Sequence, residues 1–119
     1  MPYDVHIHRG EDFVEAADNP IPREDWEAWV ANAPDFRFSD TDYVEFRYDE
    51  GDRREPLAEW TGHPEGEDFA LYYYAGEIVT GNPDPPVVRR MVEIADELGA
   101  RLQGDDGEFY GPDGEPLPD

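Results

Sequence analysis

His6 and His8, one residue apart, are the first side chains along this chain with the chemistry of metal ligands. In the segment from Tyr3 to His8, Tyr3, Val5 and Ile7 alternate with Asp4, His6 and His8. That period of two predicts a half-buried strand that sends both imidazoles to one face. Two imidazoles can contribute to a zinc site, but such a site needs a third or fourth protein ligand. The remaining histidine, His63, is not brought near by any recognisable spacing. The expectation is a pair of solvent-facing strand residues, with no metal assigned.

The acidic stretch near the end raises a similar question. Asp-Gly-Glu occurs twice, at Asp106-Gly107-Glu108 and Asp113-Gly114-Glu115. A calcium loop of the EF-hand type needs acidic ligands at alternate positions and a distal Glu. Adjacent Asp105 and Asp106 point in different directions, whereas Asp-Gly between two strand-like segments is the preferred chemistry of a tight hairpin. A turn is expected at Asp105-Asp106-Gly107.

No catalytic residue and no cofactor can be assigned. There is no Gly-rich phosphate loop, no nucleophile elbow and no cysteine. With 31 carboxylates in 119 residues, an acid pair occurs somewhere by chance and carries no information.

The aromatic residues say more. In Phe69–Gly76, "FALYYYAG", Phe69, Leu71 and Tyr73 share one strand face, and Tyr72 and Tyr74 share the other. If the first face packs on helices, the second pair stands on the open side of a sheet. Tyrosine is favoured at recognition surfaces because it is large, rigid and able to hydrogen-bond. The competing reading is a cross-strand aromatic cluster that stabilises the sheet by itself. Tyr72 and Tyr74, with a neighbouring acid such as Glu45, are the candidate partner-binding residues.

These positions need elements to hold them. "PREDWEAWVANAP" predicts a first helix: Pro22 suits its first turn, and Trp26, Trp29, Val30 and Ala33 form an apolar stripe that Pro34 ends. "DYVEFRYDE" alternates as a strand, "DEGD" reads as a turn, and "EPLAEWTG" as a further strand. Two strands meet near Ala75-Gly76. The second helix has Asp84 as N-cap, Pro85 inside it, an apolar stripe of Val87, Met91, Ile94, Ala95 and Leu98, and Gly99 as its stop. Ala100 to Gln103 returns as a strand, Glu108 to Tyr110 can pair with it, and residues 111–119 are expected to fray. The pattern predicts one α+β domain over residues 1–119, an antiparallel sheet of about five or six short strands with two helices packed on one face.

Charge bounds the partner. Nine basic residues, all arginine, oppose the 31 acids, for a net charge of −22. Nucleic-acid backbones and anionic membranes require cationic surface, so neither is an expected partner. A basic protein is, and the field would speed its approach. A salt-adapted or high-GC bacterium would also favour Asp, Glu and Arg over Lys, and the acidity is even, −11 in each half. No run approaches the ~20 apolar residues of a membrane span, no basic-then-apolar signal segment opens the chain, and cysteine is absent; a cytoplasmic location is expected.

"YDVHIHR" at the start, the Trp-bearing first helix and "NPD…MVEIADELGARLQGDDGEFY" together resemble a group of small bacterial proteins, some of which sit in toxin–immunity gene neighbourhoods. The resemblance implies a cytosolic antidote and brings no catalytic motif. The expected function is a binding or inhibitor protein of the immunity type, blocking a basic partner such as a nucleic-acid-targeting toxin. The alternative is an acidic housekeeping or small-ligand-binding domain with no toxin partner.

Overall fold

The computed structural model describes residues 3–48 and 51–117. Six strands form one sheet: β1 (Asp4–His8), β2 (Phe36–Tyr48), β3 (Gly51–Trp60), β4 (Phe69–Tyr74), β5 (Glu77–Gly81) and β6 (Arg101–Gly104). Their order is β2-β3-β4-β5-β1-β6, and every neighbouring pair is antiparallel. The first strand in the chain is therefore an inner one, between β5 and β6.

Two α-helices, α1 (Arg23–Asn32) and α2 (Pro85–Glu97), join the same core. Val5, Ile7, Leu71, Ile78 and Leu102 face it from the sheet, Trp26 and Val30 from α1, and Met91, Ile94 and Leu98 from α2. Both helices thus lie on one face of the sheet, as the two apolar stripes require. Each fully buried aliphatic side chain of α2 contributes roughly 1.5–3 kcal/mol. Trp29 is only half-buried; it stacks parallel on Trp26 at 5.8 Å, and the Arg90 guanidinium lies 5.3 Å from its ring centre.

The ends of α2 follow their signals. The Asp84 carboxylate accepts from the Val87 amide at 3.3 Å, and Gly99 adopts φ +66°, the left-handed stop that other residues resist. Pro22 precedes α1 with no side-chain cap, and Glu24 and Asp25 complement the positive end of the helix.

β2 begins at Phe36, several residues before the alternation at Tyr43 that marks it in sequence. The register shifts between Phe38 and Tyr43, so the two alternating stretches fall out of phase. The expected "DEGD" turn falls partly on residues 49–50, outside the described residues. Of residues 111–119, expected to fray, residues 111–117 are described and carry backbone hydrogen bonds. The Gly111 amide donates to the Glu115 carbonyl at 2.9 Å, and the Leu117 amide to the Phe109 carbonyl at 2.7 Å. Among the described residues, no helix is long and apolar enough to cross a membrane.

Candidate functional site

The face of the sheet turned away from α1 and α2 has a covered part and an open part. A short 3-10 helix, Phe13–Asp18, folds over the covered part, where Phe13 stacks on His6 with ring centres 4.0 Å apart and planes 3° from parallel. This segment lies in a stretch that reads as turns in the sequence, because Gly10, Glu11 and Asp12 precede it and Asn19-Pro20 follows it.

Under that cover the two histidines are buried, which corrects the solvent-facing expectation. Alternation places them on one face, but an inner strand with both faces packed has no solvent side. His6 Nδ1 lies 2.6 Å from Glu77 Oε1, and Nε2 lies 2.8 Å from Asp105 Oδ1. Burial alone would disfavour its charge, but the hydrogen bonds to Glu77 and Asp105 outweigh it and raise the His6 pKa. Each ring nitrogen faces a carboxylate oxygen, which only accepts, so the geometry is that of an imidazolium clamped between two carboxylates. His8 takes the opposite state. Its Nδ1 accepts from the Gly10 amide at 3.1 Å, so Nε2 carries the proton and donates to Gln103 Oε1 at 2.7 Å. Burial, the largest influence, pushes its pKa down and keeps it neutral. All four ring nitrogens are engaged, so a metal at His-x-His would have to displace this network.

The acidic stretch is a turn, and more. The Gly107 amide donates to the Gly104 carbonyl at 2.9 Å, with Gly107 at φ +91°. The carboxylates diverge: Asp105 reaches His6 and, at 2.9 Å, the Asp4 amide, while Glu108 receives the Tyr3 and Tyr110 hydroxyls. Among the described residues, ligand atoms converge instead at His63, Glu67 and Asp84, within 4.8 Å of one another. There the His63 Nδ1 accepts from the Glu65 amide at 3.0 Å, which leaves the proton on Nε2, 2.8 Å from the N-cap carboxylate of Asp84. An Nε2–H has no lone pair for a metal, so the geometry is that of a histidine steadying a helix cap.

The open part of the face belongs to β4 and the β2–β3 ribbon. Tyr72 and Tyr74 stand on it, opposite the buried Leu71, as the alternation predicts. Phe46 of β2 meets both, at 5.8 Å from Tyr72 and 4.6 Å from Tyr74, although β3 separates the two strands in the sheet. The ribbon must curl toward this face for that contact. The three rings wall a cavity of ≈ 270 Å³, with the Asp4 carboxylate at its side and buried His6, Glu77 and Val79 as its floor. Burial raises the Tyr72 hydroxyl pKa, and the charges of Asp4 and Glu77 raise it further, a sign of negative potential inside. Glu45 does not line this cavity: it is exposed, pairs across the ribbon with Arg54 at 3.6 Å, and leaves the strand on the side opposite its neighbour Phe46.

Comparison with protein-family models, with curated proteins and with solved structures found no match to this chain. The site therefore rests on its own geometry. Sequence reasoning reached Tyr72 and Tyr74 but missed Asp4, Phe46 and Glu77. Only the pairing of β1 with β5 and the curl of the ribbon bring these residues together.

Proposed function

We propose that this protein binds a basic protein partner through the open sheet face around Tyr72 and Tyr74, and acts as an inhibitor of the immunity type. The observation that carries the reading is the coincidence of an aromatic cluster with buried acid at one place on a strongly acidic chain. Aromatic residues enclosed by polar or charged groups are the common anatomy of a binding hot spot. The net charge of −22 supplies long-range attraction for a cationic partner, screened beyond about 8 Å at physiological salt. Glu45 and the exposed acids of the ribbon would serve the approach rather than the anchor.

The resemblance to proteins of toxin–immunity neighbourhoods makes a toxin the partner to try first. The experiment is co-expression with the product of the adjacent reading frame. The expected result is a stoichiometric complex that suppresses the neighbour's toxicity and weakens with added salt. A neighbour that is harmless, or that shows no association at low salt, refutes the reading.

A further inference from the structure

We propose that the cavity walled by Phe46, Tyr72 and Tyr74 is a receptor for a single arginine side chain presented by the basic partner. This inference rests on the binding role proposed above and names the chemistry of its anchor. Three independent features converge on a guanidinium.

The first is size. A cavity of ≈ 270 Å³ lies below the roughly 300–1,000 Å³ that accommodates drug-sized ligands and cofactors, and suits one side chain. The second is the pairing of aromatic walls with a carboxylate floor. Ring faces attract a cation, and a planar, weakly hydrated guanidinium stacks on them better than an ammonium does. The third is the state of the floor. The Glu77 side chain is only 8% exposed, yet the hydrogen bond it accepts goes to Oε1, from His6. Its other oxygen, Oε2, accepts no hydrogen bond among the described residues and is not sealed from solvent. The Asp4 carboxylate, at the cavity side, likewise accepts none there. Two acceptors near one aromatic box match the forked donors of an arginine, which a point-like lysine charge cannot span as well.

Electrostatics agree. Three carboxylates surround this end of β1, those of Asp4, Glu77 and Asp105, against the one imidazolium of His6. The deficit is two positive charges, and an entering arginine supplies one of them. His6 has a positioning role: its hydrogen bond to Oε1 turns the other oxygen of Glu77 free for a ligand. Asp105 holds His6 from behind and does not line the cavity.

The test uses the whole protein, isotope-labelled, titrated with N-acetyl-arginine amide and, in parallel, with its uncharged isostere N-acetyl-citrulline amide. Amide resonances of Tyr72, Tyr74, Glu77 and Val79 should shift saturably with the arginine compound and not with citrulline. Tyr72→Leu and Glu77→Gln should each weaken that binding roughly tenfold or more. Because Glu77 also holds His6, Asp4→Asn serves as a second neutralising variant that leaves the clamp intact. Shifts that never saturate and spread over the acidic surface, an equal response to citrulline, or indifference to Tyr72→Leu and Asp4→Asn would overturn the proposal. The two levels separate cleanly. Arginine bound in the cavity with no basic partner found leaves the receptor and removes the inhibitor role. A basic partner bound equally well by Tyr72→Leu keeps a binding role for the acidic chain and removes this cavity as its anchor.

Discussion

Replacing His6 by alanine should be among the most damaging single changes available to this fold. The imidazolium is the counter-ion of Glu77, whose side chain is 8% exposed and lies 2.6 Å away. Removing one partner of a buried ion pair costs about 3–5 kcal/mol, because the other charge is left in a poor solvent. The Asp105 contact adds at most about 1 kcal/mol, since that carboxylate is 36% exposed and water can replace the bond. The lost stack on Phe13 removes a further ~0.5–1.5 kcal/mol. Water entering the space left by the ring will solvate Glu77 in part, so the expected total is about 3–5 kcal/mol rather than the sum. The assay is urea unfolding of the wild type, His6→Ala, Glu77→Ala and the double variant near pH 6.5, the ordinary histidine value. Once His6 is gone, Glu77→Ala removes a stranded charge, so the double variant should be more stable than additivity predicts by about 1.5–3 kcal/mol, the worth of a charged hydrogen bond. Additive effects within about 0.5 kcal/mol would refute the clamp.

The same two histidines predict a pH profile. The raised pKa of His6 gives stability that is full below the unfolded value of 6.5 and is lost as pH rises through the folded value. The lowered pKa of His8 gives stability that is full above 6.5 and is lost as pH falls toward its folded value. Unfolding midpoints should therefore peak near neutral-to-slightly-acid pH, with His6→Gln flattening the alkaline side and His8→Gln the acid side; a monotonic profile across about pH 5–8.5 contradicts this. Leu98→Ala, at a buried position where α2 meets the sheet, should lower stability by about 2–5 kcal/mol in the same assay, and an unchanged midpoint would remove Leu98 from the core.

What was legible in the sequence was local. Asp84, Pro85 and Gly99 announce both ends of α2 because capping acts within a turn of the chain. The alternation of Leu71, Tyr72, Tyr73 and Tyr74 sorts β4 into a buried and an open face because side-chain direction there depends only on the backbone. The burial of His6 was not legible. It depends on β1 lying between β5 and β6, on Glu77, 71 residues away, on Asp105, 99 residues away, and on a 3-10 segment with no sequence signature. Phe46 was hidden for a related reason. Its alternation shows a strand face, but only the curl of the β2–β3 ribbon carries that face over to Tyr72 and Tyr74. The acidic tail shows both sides of this: Asp106-Gly107 reads correctly as a turn, while the reach of Asp105 to His6 is tertiary.

The central claim is that this acidic, tyrosine-bearing face holds a basic protein, and binding kinetics test it most directly. The complex with the adjacent gene product should be measured at two salt concentrations for the wild type, Tyr72→Ala and Tyr74→Ala. Higher salt should slow association, because long-range attraction between the chain and a cationic partner is screened. Each tyrosine truncation should chiefly speed dissociation, by roughly thirtyfold for an anchor worth about 2 kcal/mol. An affinity that ignores both salt and the two tyrosines would contradict the account.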